Sequence, residues 1–296
     1  MLGDAGVWGI VPAHEVGATE GGTIDGIGGR VTEDRLLGGW QTDVHLSGEV
    51  VYRSPGPQSA TVLALLRHLE AAGFEAAPRV VGTGFAPDGR ETLRYIEGRS
   101  PQPAAWSDEA LVQIGGLLGD LHRATATFRV DGALWKPWFG RSLPGDDPVI
   151  GHGDLGPWNV LARDGLPVAF IDWDNAGPVD AVWELAQVAW LNVQLHDDDV
   201  AERNRLPSPA ARAAQLRLLV DAYGLDSDRR GSFVDRIAEF AVHAARQEAV
   251  DARVTPESGV AIAGDGFPVL WAITWRTRSA SWILRNRQLL SEALSA

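Results

Sequence analysis

Three carboxylates and one carboxamide cluster within residues 150–175, beside two short runs of strand type. They are Asp154, Asn159, Asp172 and Asp174. The two runs, VLAR and PVAFID, are separated by Asp164-Gly165, a dipeptide typical of a hairpin turn. We therefore expect a hairpin with polar side chains at its mouth.

Oxygen ligands of this kind suit Mg²⁺, which in proteins usually combines one or two carboxylates with the phosphates of a substrate. Phosphoryl transfer needs a base aimed at the acceptor hydroxyl, metal ions on the phosphate oxygens and a cation near the phosphates. The cluster predicts a divalent-cation site for this chemistry. Asp and Asn at strand ends also commonly bond to nearby backbone, which is the structural alternative for each residue taken singly.

The predicted elements change character along the chain. Over the first hundred residues they run hairpin, helix, strand and strand, and afterwards they are mostly helical. The predicted spans are strands VHL and EVVYR, a helix at 59–72, strands at 79–82 and 92–98, and helices at 108–126, 210–223, 233–250 and within 267–294. Ser59 is the predicted N-cap of the first helix, and 99–108 is a plausible hinge.

Composition limits the class of protein. The chain has 296 residues, 45% of them hydrophobic, which is enough for one large domain or two lobes. It has no Cys, no secretion signal at its start and no apolar run of about 18 residues, so we expect a cytoplasmic protein. A net charge of −13 argues against nucleic acid and anionic membrane as partners. It would suit a cationic substrate, or it serves solubility.

The ordered motifs H-G-D-x-x-x-x-N and I-D-W-D, at 152–159 and 171–174, resemble the signature of the aminoglycoside phosphotransferase family, relatives of the protein kinases. The resemblance implies an α+β, bilobal, protein-kinase-like fold. Residues 1–98 would form a small β-rich N-lobe, with 1–30 a loose arm, and 99–296 a larger, mostly helical C-lobe with the acceptor pocket. It also implies Mg²⁺-dependent phosphoryl transfer from ATP or GTP to a hydroxyl of a small molecule.

The resemblance also implies roles for individual residues. Asp154 would be the base that orients the acceptor hydroxyl, and Asn159 and Asp172 would hold Mg²⁺ against the nucleotide phosphates. His152 would pack and hydrogen bond to hold the loop. Asp174 could touch either metal or substrate. Farther along, Asp180 and Glu184 would cap and tie the helix that follows.

The nucleotide site is implied by weaker motifs. Its predicted residues are Gly38 and Gly39 in a loop that covers the phosphates, Arg53 on the phosphates, and Tyr95 and Ile96 in a hinge that holds the base through the backbone. Two departures from the family pattern affect it. Arg53 stands where the family has Lys, and the following helix has Glu70 as its only acid. Three outcomes are therefore open. Arg53 binds phosphate unassisted, another acid pairs with it, or the protein is a weak catalyst.

The acceptor site is the least specified part. Two residues of the H-G-D loop depart from the family pattern: Gly156 stands where the family often has His, and Trp158 where it often has Gly. Trp158 would lie in the pocket wall or beneath it as core. Glu248 and Asp251 are acids that could hold amino groups of a cationic acceptor, and an aminoglycoside or related amino sugar is the named candidate. A kinase of choline-like or other small alcohols, a non-catalytic nucleotide-binding or ligand-sensing relative, and, more distantly, a metal-dependent hydrolase are the alternatives.

Overall fold

The computed structural model describes residues 34–35, 44–258 and 268–296. A five-stranded antiparallel sheet forms the N-terminal part of the protein. Its strands are β1 (Asp34–Arg35), β2 (Val44–Ser47), β3 (Val50–Arg53), β4 (Val80–Phe85) and β5 (Glu91–Arg94), in the spatial order β1-β2-β3-β5-β4. The predicted arm at 1–30 and the pair Gly38 and Gly39 lie outside the described residues.

Helix α1 (Ser59–Ala71) connects β3 to β4 and packs its apolar side inward. Leu63, Leu66 and Leu69, at helical spacing, are buried, as the sequence predicts. The predicted N-cap is wrong: Gln58 is the cap residue, and Ser59 is the first helical residue. The Ser59 hydroxyl instead accepts a hydrogen bond of 2.8 Å from the Gly56 backbone N–H and closes the turn that leads from β3 into the helix.

The C-terminal part is mostly helical. Its helices are α2 (Asp108–Thr125), α3 (Ala181–Asn192), α4 (Asp198–Arg203), α5 (Pro209–Tyr223), α6 (Ser227–Asp251), α7 (Val269–Arg285) and α8 (Arg287–Ser295). The single helix predicted within 267–294 is two helices that meet at Asn286. No helix in the described ranges is both long and apolar enough to span a bilayer.

Two small antiparallel sheets of two strands each lie between α2 and α3 along the chain. Strand β7 (Val160–Arg163) pairs with β8 (Leu166–Phe170), and β6 (Pro148–Gly151) pairs with β9 (Gly177–Asp180). The turn between β7 and β8 has Asp164 and Gly165 at φ of 51° and 81°, the left-handed conformation that an Asp-Gly hairpin requires. The β7–β8 hairpin was expected from the sequence, whereas the β6–β9 pair was not.

The segment after β5 joins the sheet to this hairpin. Arg99 and Ala162 exchange two backbone hydrogen bonds, of 3.0 and 2.9 Å. Gly98 lies so close to β7 that a Cβ atom there would be 2.9 Å from Leu161 Cβ. The contact joins the segment after β5 to strand β7. The α+β class, with a sheet-containing N-terminal part and a helical C-terminal part, is thereby confirmed.

Helices α2 and α5 approach closely at Gly115, where a Cβ atom would meet Leu219 O at 2.2 Å. We expect Gly115→Ala to lower the free energy of unfolding by about 1–3 kcal/mol through overpacking. The neighbouring Gly116 has nothing within 4 Å of such a Cβ atom. Gly116→Ala should raise stability by up to about 1 kcal/mol, because Ala favours the helix. Urea denaturation of both variants tests this, and equal effects would contradict the close packing.

Candidate active site

Asp154 and Asn159 are brought together by a tight turn, the 3₁₀ helix Pro157–Asn159, ahead of β7. The Asn159 amide Nδ2 donates to Asp154 O at 2.8 Å and to Asp154 Oδ2 at 3.1 Å. Asn159 is buried and Asp154 is half-buried. Because the amide nitrogen is used in this way, the carboxamide oxygen is the Asn159 atom that could bind a cation.

The environment of Asp154 brings its titration to neutral pH. Burial, together with the negative charge of Asp172, raises the pKa of Asp154 to about 7. Hydrogen bonding from the Trp158 and Asn159 side chains and the positive charge of Arg276 act in the opposite direction. A general base works best when its pKa lies near the operating pH, and Asp154 meets that condition.

Two departures from the family pattern in the catalytic loop compensate each other. A Cβ atom at Gly156 would lie 2.2 Å from Cζ2 of Trp158, so the absence of a side chain at 156 makes room for the indole ring. The ring is half-buried, and its hydrogen bond lowers the pKa of Asp154. Trp158 therefore lies at the wall of the site and contacts Asp154 directly.

His152 holds the loop from inside. It is fully buried, its Nε2 donates to Ile171 O at 2.9 Å, and its Nδ1 accepts from the Asp154 backbone N–H at 3.3 Å. Burial lowers the pKa of His152, so the ring is neutral, as this pattern of one donor and one acceptor nitrogen requires. His152 therefore links the catalytic loop to the end of β8 and takes the structural role expected for it.

Glu184 in α3 ties the catalytic loop to the helices. Its Oε1 accepts from the Gly153 backbone N–H at 2.7 Å and its Oε2 lies 2.7 Å from His122 Nε2 in α2. Burial raises the pKa of Glu184, but the hydrogen bonds from His122 and Gly153 outweigh it and the net pKa is lowered. Asp180 is the N-cap of α3, since its side chain accepts from Val182 N and Trp183 N. The expected capping and tying roles are confirmed.

Asp172 projects from a strained turn directly after β8. Its φ of 62° and ψ of 66° are in the left-handed region, which Asp adopts more readily than most residues. The carboxylate is half-exposed, and its Oδ1 lies 3.0 Å from Arg53 Nη2. Asp174 Oδ1 lies 2.9 Å from the same nitrogen. The turn thus directs two carboxylates toward one cationic position beside β3.

The residues present fit a Mg²⁺ ion held partly by a nucleotide. Among the described residues, no group of three or more His, Cys, Asp or Glu side chains converges as a metal site. Asn159 and Asp172 could supply two oxygen ligands, and Mg²⁺ in phosphoryl-transfer sites usually takes the rest of its shell from phosphates and water. An ion at Asp172 would have to share that carboxylate with Arg53 or displace the guanidinium.

Arg53 has a third acidic neighbour. Glu91 Oε2 lies 4.0 Å from Arg53 Nη1, and both side chains are buried. Burial outweighs the favourable contact with Arg53 and leaves the pKa of Glu91 raised. Burial also acts against the charge of Arg53, but the three acids prevail and its pKa is raised. An acid therefore lies beside Arg53, although α1 supplies none.

The predicted hinge residues lie directly after β5. Tyr95 and Ile96 are both half-buried. The Tyr95 backbone N–H donates to Glu49 O at 2.8 Å, so this group is already used within the sheet. A nucleotide base could take its hydrogen bonds here from the Ile96 backbone or from the Tyr95 carbonyl oxygen.

The two acids predicted for the acceptor site differ in their surroundings. Glu248 Oε2 lies 3.1 Å from Arg276 Nη2 on α7, so its charge is neutralised within the protein. Arg276 is also close enough to lower the pKa of Asp154, which brings this pair to the catalytic loop. Asp251 is exposed at the end of α6 and accepts from Gln247 of the same helix at 2.7 Å. The described contacts do not link Asp251 to the site.

Sequence reasoning missed three residues that shape the site. They are Glu91, Arg141 and Arg276. Arg141 donates to the carbonyl oxygens of Asn175 and Ala176 and so supports the turn after Asp172. Glu91 could have been found from strand register, because it is the residue opposite Arg53. The sequence carries no signal for Arg141 or Arg276, which reach the site from distant helical segments.

Comparison with known proteins places the chain. A family model described as "Phosphotransferase enzyme family" matches residues 125–215, which include Asp154, Asn159 and Asp172. The trifolitoxin immunity protein of Rhizobium leguminosarum bv. trifolii is 56% identical over 261 residues, covering 88% of this chain and 98% of that protein. The chain belongs to the phosphotransferase enzyme family. As a member, it is a small-molecule phosphotransferase.

Several solved structures share its kinase-like fold. A choline/ethanolamine kinase family protein from Mesorhizobium loti superimposes with a TM-score of 0.54 at 17% identity, covering 89% of this chain and 92% of that one. A microcompartment-associated aminopropanol kinase superimposes with a TM-score of 0.57 at 14% identity, covering 90% and 94%. The predicted fold class is confirmed.

The surroundings of Asp154 predict a pH profile for this phosphotransferase. A base must be deprotonated to act, so kcat/KM should rise with pH through an apparent pKa of about 7. Trp158→Phe removes an indole N–H that favours the ionised carboxylate, and the acidic limb should move to higher pH by up to about one unit. The measurement is kcat/KM against pH.

Trp135→Phe is the matched control. Trp135 packs edge-on against Phe128, with ring centroids 6.3 Å apart, and this substitution should leave the acidic limb where it is. The hydrogen bond to Asp154 has no influence on catalysis if the profiles of the Trp158→Phe variant and the wild type coincide.

Proposed function

We propose that this chain transfers the γ-phosphoryl group of ATP or GTP to a hydroxyl group of a toxic small molecule and thereby protects the cell that makes it. The proposal rests on the 56% identity of this chain to a protein named for immunity to trifolitoxin, and the match covers 98% of that protein. The contact between Asp154 and Asn159 supports a catalytic rather than a sequestering form of that protection.

Asp154 would accept the proton of the acceptor hydroxyl. Its carboxylate is held by Asn159 and Trp158, so its direction is fixed before the acceptor binds. A base with a pKa near 7 takes up the proton readily at neutral pH and returns it to solvent afterwards. Positioning of this kind is most of what a protein contributes to phosphoryl transfer.

Asn159 and Asp172 are the residues that would hold Mg²⁺, and Arg53 would bind the phosphates. When bound, the metal neutralises charge on the β- and γ-phosphates and orients them for in-line transfer. Arg53 matches phosphate oxygens with a planar, two-pronged donor group. Its present contacts with Asp172 and Asp174 keep it at the place where the phosphates would lie. The cytoplasm, which supplies the nucleotide, is the compartment we propose.

The acceptor need not be a cation. Glu248 was the acid expected to hold an amino group, but Arg276 already neutralises it. A site wall with an Arg–Glu pair and an indole ring, Trp158, offers hydrogen bonds and a flat apolar surface beside Asp154. This favours a toxin with mixed polar and apolar groups over a polycationic aminoglycoside, which is the second candidate acceptor together with amino alcohols.

The test is the release of nucleoside diphosphate by the purified chain with ATP or GTP and Mg²⁺. The acceptor panel contains trifolitoxin, aminoglycosides and amino alcohols. We expect stimulation by trifolitoxin and a new phosphate ester on it, and we expect Asp154→Asn to lower kcat by about 100-fold or more. Asp251→Asn, the same change at an exposed site, should leave the rate unaltered.

A cell assay separates catalysis from sequestration. Sensitive bacteria that express the chain should survive trifolitoxin, and those that express Asp154→Asn should not. Survival with the Asp154→Asn variant would mean that the chain binds the toxin without modifying it. No binding of nucleotide by the wild-type chain would overturn the proposed function as a whole.

A further inference from the structure

Arg53 and Glu91 form a cross-strand pair. Arg53 is the last residue of β3 and Glu91 the first residue of β5, and the antiparallel register places them directly opposite each other. Arg53 Nη1 and Glu91 Oε2 are 4.0 Å apart, and both side chains lie in the interior. The pairing of strands β3 and β5 therefore sets the distance between the Arg53 guanidinium and the Glu91 carboxylate.

The other edge of the guanidinium faces the C-terminal part of the protein. Arg53 Nη2 lies 3.0 Å from Asp172 Oδ1 and 2.9 Å from Asp174 Oδ1. One edge thus points to the sheet and the other to the turn that carries the proposed metal ligand. A lysine ammonium carries its three donors on one atom, whereas the guanidinium presents two separated nitrogens, one to each group of partners.

Helix α1 supplies no acid to this cluster. Its only acidic residue, Glu70, is exposed near the C-terminal end and lies 3.8 Å from Arg79. Burial raises the pKa of Glu91, and the contribution of α1 is the Ser59 hydrogen bond, which acts against that rise. Two changes from the family pattern therefore belong together. Arg53 replaces Lys, and the acid beside it, Glu91, lies on strand β5 instead of on helix α1.

We propose that Glu91 is a positioning residue for nucleotide binding, which holds one edge of Arg53 while the other edge exchanges Asp172 and Asp174 for phosphate oxygens. The inference rests on the proposed function, since it needs a nucleotide at this site. An Arg side chain loses rotamer entropy when it binds a phosphate, and a contact that holds one edge beforehand removes much of that loss.

The position of the anchor has a consequence for how the site is organised. Because Glu91 lies on a strand paired to β3, displacement of α1 would leave the Arg53–Glu91 pair intact. Phosphate-binding geometry in this protein is therefore set within the sheet. Closure of the site then depends on the contact of Arg53 with the Asp172 turn, which the arriving phosphates would replace.

The test is the affinity of the full-length chain for Mg²⁺–ATP and for adenosine, measured by calorimetry without an acceptor. We expect Glu91→Gln to weaken Mg²⁺–ATP binding about tenfold, because the ion pair with Arg53 is lost and the guanidinium is no longer held in place. Adenosine has no phosphates, so its affinity should not change. In steady-state kinetics the KM for nucleotide should rise while the KM for the acceptor stays the same.

Two further variants complete the design. Glu70→Gln changes the acid of α1 and should leave both affinities unaltered. In an Arg53→Ala background, Glu91→Gln should not weaken Mg²⁺–ATP binding further, because Glu91 acts through Arg53. If Glu91→Gln does not fold, Glu91→Asp retracts the carboxylate by one methylene group and should still weaken Mg²⁺–ATP selectively.

The outcomes distinguish this inference from the proposed function. Wild-type binding of Mg²⁺–ATP with unchanged affinity in the Glu91 variants would overturn the positioning role and leave the phosphotransferase intact. Equal loss of Mg²⁺–ATP and adenosine affinity would also overturn it, because the effect would then be structural. A wild-type chain that binds no nucleotide would remove the proposed function first.

Discussion

The catalytic loop depends on one buried carboxylate. Glu184 is fully enclosed, and each of its oxygens is used: one accepts from the Gly153 backbone and the other from His122. His122 in turn lies 2.9 Å from the Tyr223 hydroxyl through Nδ1. A buried carboxylate is stable only when such partners replace the lost water. Through this chain of contacts, α2, α3 and α5 hold the backbone that carries Asp154.

The glycines of the loop follow from the same packing. A Cβ atom at Gly151 would lie 2.0 Å from Glu184 Oε2, and one at Gly153 would lie 2.4 Å from Asn175 O. Gly153 also has φ of 81°, which a residue with a side chain adopts only at a cost. The H-G-D motif is therefore a packing requirement as well as a chemical one. The His fills the interior, the Gly allows close approach, and the Asp is left to face the site.

Much of the site could be predicted because its motifs are local. Asp154, Asn159 and Asp172 flank a hairpin whose Asp-Gly turn and two apolar runs are written in consecutive residues. The helix predicted at 108–126 is α2, and the structure adds Ser107 as its N-cap. Gly156 and Trp158 looked like unrelated departures in the sequence, and the structure explains each by the other.

The remaining features depend on contacts between distant parts of the chain. Glu91 lies 38 positions from Arg53 along the sequence, and Arg276 reaches the neighbourhood of Asp154 from α7. Strands β6 and β9 have four residues each and are separated along the chain by the β7–β8 hairpin. No periodicity marks partners of this kind, because tertiary packing alone selects them.

The two central carboxylates are given opposite environments. Asp154 is half-buried among neutral donors, and its pKa is raised to about 7 by burial and by the charge of Asp172. Asp172 is exposed and faces a guanidinium. Pairs of acids whose surroundings differ in this way can take different chemical roles, as the proposed function requires of Asp154 and Asp172. The negative charge of Asp172 raises the pKa of Asp154. A cation that neutralised Asp172 would therefore lower the pKa of Asp154 and make it easier to ionise. Binding of a cation at Asp172 and ionisation of Asp154 are linked in this way.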